Sequence, residues 1–324
     1  MITTEEITQK QSAIRQFLCD HGIEPQQITT SIGPTVSLFK LRFGPKVHLS
    51  SLLNLQDDLA WYLKFKGVRM IGLDGAVGIE IANDTPEPDP FDWAMEKSHD
   101  EMSRMILPVI LGTSYDQHIE LLDLAYAPHL LVAGATKQGK TEFLRTLLAS
   151  LLSDGCRSEV KFQLFDPKER EFSPFKETGF VFYTLNQSLK GLQALCDTME
   201  RRLSAPSEKA PRLVVLVDEY ADLTRCHHPD ARQIYTCLIR LLQNGHRAGI
   251  HLVLSTQRPS ADVITMLIKS NIHARIAFRT LTKADSRVIL DSDGAERLIG
   301  SGDMLFALGG SIKRIQTATL NESK

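Results

Sequence analysis

The sequence of 324 residues lacks the features that mark several classes of protein. No apolar run approaches the roughly 18–20 residues that a membrane-spanning helix needs, and the first residues, MITTEEITQK, contain no apolar signal-peptide core. The five cysteines lie far apart and form no CxxC pair, which favours reduced thiols and a cytoplasmic location. The net charge of −2 excludes nucleic-acid binding through overall basicity, so any such binding must use local basic patches.

What the sequence does contain is the composition of a globular protein, with 43% hydrophobic and 23% charged residues. This balance excludes a disordered tail, a disulfide-stabilised miniprotein and a collagen-like fibre. The length is sufficient for one large domain or for two modest ones.

Residues 1–85 predict a small α+β subdomain. Apolar residues recur at helical spacing near the N-terminus, β-branched and aromatic residues follow between two Gly-Pro pairs, and Asp74-Gly75 is a favoured hairpin turn. The predicted elements are a helix over residues 1–20, a strand over 35–43, a helix that begins at Ser50, and two strands over 68–71 and 77–81. Residues 86–105 are rich in proline and acidic side chains and predict a linker that runs into a short helix.

From residue 106 to residue 324, short apolar strands alternate with helical segments. Strands are predicted at residues 130–133, 160–166, 213–218, 251–256 and 275–278, and helices are predicted to begin near Gly139, Ser188, Asp230 and Ala261. Strands that alternate with crossover helices form mostly parallel sheets with helices on both faces. The predicted fold class is therefore an α/β domain of this kind, preceded by the small α+β subdomain.

The strongest functional motif follows the first of these strands. Residues 134–141, GATKQGKT, match GxxxxGK[ST], with an apolar strand before them and an amphipathic helix after them. The backbone N–H groups of such a P-loop and the N-terminus of its helix bind phosphate oxygens. Lys140 is expected to neutralise the β- and γ-phosphates, and the Thr141 hydroxyl is expected to ligate Mg²⁺. The candidate nucleotide-binding residues are Gly134, Ala135, Thr136, Lys137, Gln138, Gly139, Lys140 and Thr141.

A second motif ends the strand predicted at residues 213–218, where Asp218 and Glu219 follow the apolar run LVVLV. The carboxyl ends of parallel strands form the edge at which ligands bind in such folds. Asp218 is expected to hold Mg²⁺, and Glu219 is expected to orient and deprotonate the attacking water. Gln257 ends the next strand and is a candidate for sensing the γ-phosphate. Together the two motifs favour nucleotide hydrolysis over nucleotide binding alone.

These motifs occur in one order with others that resemble a known family. AGATKQGKT, VDEYADL at residues 217–223, and the run from AGIHLVLSTQRPS at 248–260 to GAERLIGSGDMLF at 294–306 closely resemble the motor of the FtsK/SpoIIIE DNA translocases. GPTVSLFKLRF at residues 33–43 resembles the small α subdomain that precedes that motor. The resemblance implies a P-loop NTPase domain with a RecA-like fold, a hexameric ring that hydrolyses ATP at its subunit interfaces, and movement along double-stranded DNA. It also implies an arginine supplied in trans, for which Arg275 and Arg287 are both candidates.

Three departures from the family's pattern shape the expected function. The family's membrane-anchoring region and its winged-helix domain for reading oriented DNA have no counterpart in this sequence, so we expect a free cytoplasmic motor without a sequence-set direction. The family's longer excursion with basic pore residues is shortened here to LSAPSEKAPR at residues 203–212. The mode of DNA contact therefore stays open.

Basic residues cluster in two places that suit a surface for tracking DNA phosphates. Five of them lie between residues 269 and 287 against one acid, Asp285, and others flank the shortened loop. Strand alternation would send some of these side chains to opposite faces, so a solvated surface is the alternative. The candidate DNA contacts are Arg201, Arg202, Lys209, Arg212, Lys269, Arg279 and Lys283.

Two other functions are compatible with the same nucleotide site. One is an ATPase of this type that moves a protein substrate, as in secretion systems. The other is a low-turnover, nucleotide-gated subunit of a defence or mobile-element complex with unidentified protein partners. Glu219 weighs against the second, since a subunit with little turnover does not need a catalytic base.

Overall fold

The computed structural model describes residues 3–45, 47–65, 67–153, 160–167, 172, 179–205, 210–224 and 228–320, and these form two sheets. The smaller sheet is antiparallel with the strand order β1-β2-β4-β3. None of the helices in the described part of the chain combines the length and apolarity needed to span a bilayer. The elements of the first part are α1 (Thr4–Asp20), β1 (Gln27–Ile32), β2 (Val36–Arg42), α2 (Leu49–Asn54), α3 (Gln56–Leu63), β3 (Arg69–Leu73) and β4 (Ala76–Ala82).

The smaller sheet has an apolar core of its own beneath α1. Ile14 and Leu18 lie on one face of this helix and are buried in the same cluster as Phe39 of β2. The helix predicted from Ser50 is two helices, because helical geometry is interrupted at Leu55, which ends α2 and precedes α3. Strand β1 escaped prediction because QITTSI is polar and forms an edge of the sheet, exposed or half-buried along its length.

The larger sheet has ten strands in the order β6-β5-β14-β13-β12-β7-β11-β10-β8-β9. The pairs from β12 to β9 are parallel and those from β12 to β6 are antiparallel. Its elements are α4 (Phe91–Met102), β5 (Pro108–Ser114), β6 (Ile119–Asp123), β7 (His129–Ala133), α5 (Lys140–Leu152), β8 (Val160–Phe165), β9 (Gly179–Phe182), α6 (Leu185–Ser204), β10 (Arg212–Val217), α7 (Tyr220–Thr224), α8 (Asp230–Asn244), β11 (Ile250–Thr256), α9 (Met266–Asn271), β12 (Ala274–Phe278), α10 (Lys283–Leu290), β13 (Asp303–Leu308) and β14 (Ser311–Gln316), with 3-10 turns at Gly245–Ala248 and Ala295–Arg297.

The predicted fold class is confirmed. The five strands predicted for the larger sheet are all present, within one residue at either end, and two buried apolar clusters pack on that sheet. The helix predicted near Ala261 begins later, at Met266, where the Thr265 side chain accepts a hydrogen bond from the backbone N–H of Ile268. The prediction missed the hairpin of β13 and β14, although its turn, Gly309-Gly310, has positive φ at both residues and is a hairpin signal in the sequence.

The acidic segment at residues 86–105 contains α4, which packs on the larger sheet. Phe91 and Ala94 are buried in one cluster with Ile110 of β5. The backbone N–H of Phe91 also donates a 2.9 Å hydrogen bond to the carbonyl of Thr319. The short helix expected at the end of the linker is thus attached at two points, to β5 of the larger sheet and to the residues that follow its last strand in the chain.

Four charged side chains meet where the two sheets join. Arg314 of β14 donates to Glu80 of β4 at 3.0 Å and to the two carboxylate oxygens of Asp303 at 3.0 and 2.7 Å. Arg69 of β3 donates to both oxygens of Glu80 at 3.2 Å. Burial alone would lower the pKa of Arg314, but the charges of Asp303 and Glu80 raise it above its ordinary value. Charges are tolerated in an interior when they are paired and hydrogen-bonded in this way.

Two histidines are buried on neighbouring strands of the larger sheet, at the end opposite the loop 134–141. His129 begins β7 and His251 lies at the start of β11. Burial lowers the pKa of His129 to about 3, with His251 and His246 acting in the same direction. Burial lowers the pKa of His251 to about 4, with the charge of Arg212 adding to the effect. The backbone N–H of Leu252 donates to Nδ1 of His129 at 3.1 Å, which a proton at that nitrogen would prevent.

From the lowered pKa values of His129 and His251 we expect the folded protein to lose stability in mild acid. Their pKa values are lowered in the folded state, so the unfolded chain binds protons first as the pH falls through about 6.5. The stabilising neutral forms are fully present above that pH, and their contribution is lost as the pH falls toward 4. With two such groups the free energy of unfolding is expected to fall by at most about 2.7 kcal/mol per pH unit. Urea unfolding between pH 4.5 and 7.5 measures this slope.

The matched comparison uses one buried and one exposed histidine. His251→Gln is expected to reduce the slope by about half, since one of two titrating groups is removed. His246→Gln, at an exposed position, is expected to leave the slope unchanged. An unaltered slope in His251→Gln would show that other groups cause the acid loss.

Candidate nucleotide site

The predicted site residues converge at one edge of the larger sheet. Strands β7, β11 and β10 are neighbours and parallel, with Ala133 paired to Thr256 and Val217 paired to Leu254. Their carboxyl ends therefore lie side by side. The loop 134–141 follows β7, the Asp218-Glu219 pair follows β10, and Gln257 follows the strand between them.

The backbone of the loop requires its glycines. Gly134 has φ +153° and a Cβ there would lie 2.7 Å from Cβ of Phe278, on the neighbouring strand β12. Gly139 has φ +109° and a Cβ there would lie 2.5 Å from the backbone nitrogen of Gly302. Lys137 also adopts a left-handed conformation, with φ +61°. The loop is thus wrapped closely between β12 and the residues before β13, which fixes the direction of its amides.

The end of the loop places the buried Lys140 in the first turn of α5. Lys140 is buried and begins the helix, and the residue before it, Gly139, has no side chain with which to cap the helix. A helix N-terminus without a side-chain cap can accept an anion in that place. The Thr136 hydroxyl donates a 2.7 Å hydrogen bond to Oε1 of Gln257, which connects the loop to the tip of β11. This arrangement suits the phosphates of a nucleotide.

The two carboxylates are buried and held by the neighbouring strand. The Ser255 hydroxyl donates to Oδ1 of Asp218 at 3.0 Å. For Glu219, the Thr256 hydroxyl donates to Oε1 at 2.7 Å and the backbone N–H of Gln257 donates to Oε2 at 2.8 Å. Glu219 has φ +44°, a strained conformation for a residue with a side chain, and such strain is typical of functional positions.

Ser255 and Thr256 contact the two carboxylates of the candidate site, and the sequence analysis missed both. The sequence shows two polar residues at the end of a buried strand, but it does not show that this strand is the neighbour of the one that carries the acidic pair. A third missed element is the segment before β13. The backbone N–H of Gly302 donates to the carbonyl of Gln138 at 2.9 Å, so this segment contacts the loop directly.

The donor set fits a magnesium ion. Asp218 and Thr141 contribute a carboxylate and a hydroxyl, which are the hard oxygen ligands that Mg²⁺ accepts beside phosphate oxygens and water. Ser255 holds the carboxylate of Asp218 in place, as outer partners of metal ligands do. Within the described ranges, no group of three or more His, Cys, Asp or Glu side chains could hold an ion by itself. A metal at this edge would therefore depend on the nucleotide for further ligands.

The structure separates the two candidate arginines. Arg275 of β12 is 16% exposed and donates to the carbonyls of Ile272 and Ile289 and to the carboxylate of Asp291. Burial acts to raise the pKa of Asp291, but hydrogen bonds from Lys269 and Arg275 outweigh this and lower it. Arg287 of α10 is 63% exposed and meets Asp293 at 3.4 Å. The Arg275 side chain thus connects parts of its own chain around α10, whereas the Arg287 side chain is largely exposed to solvent.

The candidate DNA contacts fall into two groups. Arg202 and Arg212 approach Gly249 at the amino ends of the parallel strands, opposite the nucleotide edge, and Arg201 is an exposed neighbour. Lys269 is paired with Asp291, Lys283 is exposed at the start of α10, and the carbonyl of Arg279 accepts from Ala135 of the loop. Lys209 lies outside the described residues. Among the described candidates, the structure brings Arg202 and Arg212 together at Gly249.

Comparisons with known proteins match both the small subdomain and the larger domain to described families. The FtsK/SpoIIIE family model matches residues 93–205 and 203–261, and the FtsK alpha domain model matches residues 1–83. DNA translocase FtsK of Chlorobaculum tepidum is 37% identical over 320 residues, covering 88% of this chain and 39% of the relative. DNA translocase FtsK of Caldanaerobacter subterraneus is 33% identical over 348 residues, covering 100% of this chain and 49% of the relative. The chain spans less than half the length of these relatives.

Solved structures confirm the fold. The pCW3 conjugation coupling protein TcpA, in a monomer form with ATPγS, has a TM-score of 0.68 at 20% identity and covers 97% of this chain and 96% of its own. The cytoplasmic domain of the type VII secretion ATPase EccC of Thermomonospora curvata has a TM-score of 0.58 at 23% identity, covering 68% and 29%. With the family model matching more than half of the chain, and relatives above 30% identity covering most of it, this chain belongs to the FtsK/SpoIIIE family.

Proposed function

We propose that this chain is an ATP-driven motor that moves double-stranded DNA. One observation carries the proposal: the loop 134–141 and the buried, hydrogen-bonded pair Asp218 and Glu219 lie at one edge of one sheet. A site that only held nucleotide would not need a buried carboxylate fixed beside the phosphate loop. The relatives described as DNA translocases support DNA as the cargo.

In this motor the loop amides and Lys140 hold the phosphates of ATP, and Glu219 accepts the proton of the attacking water. Hydrogen bonds from the Thr256 hydroxyl and the backbone N–H of Gln257 hold the Glu219 carboxylate at this edge, where it can take a proton from water. Gln257 would respond to the γ-phosphate, and the hydrogen bond that it accepts from Thr136 of the loop supports this role. Thr141 and Asp218 would hold Mg²⁺, which would supply neutralisation of the negative charge on the nucleotide phosphates.

We further propose that the site is completed by a second copy of the chain in a homo-oligomeric ring, hexameric as the family resemblance implies. The solvent-facing Arg287 is our candidate for the trans arginine. Each ring subunit would consist of a small subdomain at residues 1–85 and a motor at residues 106–324, since each has its own apolar core. As DNA contacts we favour Arg201, Arg202 and Arg212, because this group lies at the end of the parallel strands opposite the nucleotide site, where DNA and ATP would not compete for space.

The test measures the ATPase rate with and without long duplex DNA in low salt. We expect the duplex to raise the rate several-fold, and we expect binding to weaken steeply as salt rises. Lys140→Ala should lower the rate by on the order of a hundredfold or more, since it removes the charge that holds the phosphates. The matched control is Lys161→Ala, an exposed lysine of β8 that should leave the rate unchanged.

The outcomes separate the candidate functions. An ATPase that neither binds duplex DNA at low salt nor responds to it would contradict the proposed cargo and favour a protein substrate. A Lys140→Ala variant with the same rate as the wild type would show that the measured hydrolysis does not come from this site.

A further inference from the structure

One segment of the larger domain contacts both the nucleotide loop and the small subdomain. We call residues 294–303, which connect α10 to β13, the bridging segment. On the nucleotide side, the backbone N–H of Gly302 donates to the carbonyl of Gln138 at 2.9 Å. The contact is tight, because a Cβ on Gly139 would come within 2.5 Å of the Gly302 nitrogen. A shift of the bridging segment must therefore move the loop or break this contact.

On its other side the bridging segment packs on the small subdomain. A Cβ on Gly67 would lie 2.9 Å from the carbonyl oxygen of Arg297, so the two backbones approach closely. Arg297 also forms an ion pair with Asp57 at 2.7 Å, at an exposed rim. The bridging segment thus lies between β3 of the subdomain and the nucleotide loop.

Buried charges connect the bridging segment to the centre of the small sheet. Asp303, its last residue, accepts from the backbone N–H of Ile299 at 2.8 Å and from Arg314 at 2.7 and 3.0 Å. Arg314 donates in turn to Glu80 of β4 at 3.0 Å. Since Glu80 is buried, no water can replace it as the partner of Arg314.

A second connection runs parallel to the first. The Thr35 hydroxyl of the small subdomain donates to Oε1 of Gln316 at 3.1 Å. The amide nitrogen of Gln316 donates to the carbonyl of Ser301 at 2.9 Å. Both connections therefore join the small subdomain through β14 to the residues that cover the nucleotide loop.

We propose that Glu80 is a positioning residue of the nucleotide site, acting through Arg314 and Asp303 on the bridging segment. Nucleotide bound at the loop holds Gly302, and Gly302 in turn favours the docked arrangement of the small subdomain. Coupling of this kind is reciprocal, so the docked subdomain strengthens nucleotide binding by the same factor. The inference rests on nucleotide binding at residues 134–141.

The test compares wild type, Glu80→Gln and Glu120→Gln. Glu80→Gln keeps the shape and one hydrogen-bond acceptor for Arg314 but removes the charge. Glu120→Gln makes the same exchange at an ion pair with Lys313 of β14, and the hydrogen bonds of Lys313 in the described part of the chain go to Glu120 rather than to the bridging segment. The measurements are the affinity for ATPγS, the KM and kcat for ATP, and amide hydrogen exchange in β4 with and without ATPγS.

In the wild type and in Glu120→Gln, ATPγS is expected to slow hydrogen exchange in β4. In Glu80→Gln we expect ATPγS affinity to fall by about 5–10-fold, KM to rise by a similar factor and kcat to change by less than about twofold. The nucleotide-dependent protection of β4 should then be lost, which a merely structural role of Glu80 would not produce. Thr35→Val, which removes one neutral hydrogen bond, should act in the same direction with a smaller effect and serves if Glu80→Gln does not fold.

Two results would overturn the inference. If ATPγS binds the wild type without slowing exchange in β4, or if Glu80→Gln and Thr35→Val both bind it as tightly as the wild type, the subdomain is not coupled to the loop. If the wild type does not bind ATPγS at all, the proposed function fails and the inference fails with it.

Discussion

Glu219→Gln is expected to lower ATP turnover by about 10²–10⁴-fold while leaving nucleotide binding nearly unchanged. The carboxylate is 2% exposed and already accepts two hydrogen bonds, so it is held in position to take a proton from water. Glutamine has the same shape but cannot accept that proton. Single-turnover hydrolysis and ATPγS binding, measured on the same sample, separate the chemical step from affinity.

The matched control is Asp222→Asn, three residues further along in α7. Asp222 meets Arg258 in an ion pair at 3.7 Å, and its exchange should change turnover by less than about twofold. If wild type and Glu219→Gln hydrolyse ATP equally slowly, Glu219 is not a catalytic base, and the nucleotide-gated subunit becomes the better explanation.

Arg287→Ala is expected to lower turnover by on the order of 10³-fold, since an arginine in trans stabilises the charge of the transferring phosphoryl group. Affinity for ATPγS should change little, because Arg287 is solvent-facing in the single chain. Arg275→Ala should instead lower the thermal unfolding midpoint, because Arg275 donates to Ile289 and Asp291 at the end of α10. Steady-state rates and thermal melts of the two variants distinguish these effects.

Mixing subunits decides whether Arg287 acts in trans. Arg287→Ala and Glu219→Gln are each nearly inactive alone in this prediction. In a mixed ring, an Arg287→Ala subunit supplies an intact Glu219, and a Glu219→Gln neighbour supplies an intact Arg287. Their shared interface then holds a complete site, so activity should return on mixing. If mixing restores nothing, Arg287 does not act across an interface.

The sequence predicted those parts of the site whose signals are local. GATKQGKT lies between an apolar strand and a helix, and Asp218 follows an apolar run, so the residue pattern alone places both at one sheet edge. Ser255 and Thr256 were missed because they look like the end of an ordinary strand until the neighbour of that strand is known. Only the order β7-β11-β10 shows that their hydroxyls face the two carboxylates.

The junction between the sheets could not be predicted, for a different reason. Glu80 and Arg314 are far apart in the chain, and each looks like an ordinary charged residue on an alternating strand. The pairing of β14 with β13 and β5 brings Arg314 to Asp303, and the contact between the two sheets brings it to Glu80. Short or polar strands such as β9 and β1 likewise owe their existence to neighbours rather than to their own residues.

The position of β14 in the chain also bears on how the protein emerges from the ribosome. β14 follows every other described strand, and it pairs with β5, the first strand of the larger sheet. A nascent chain folds from its N-terminus, so the small subdomain can complete its core soon after β4 has emerged. Arg314, which forms an ion pair with Glu80, is synthesised 234 residues later. Until that point the carboxylate has Arg69 as its partner, and neither the covering of the nucleotide loop nor the junction of the two sheets is complete.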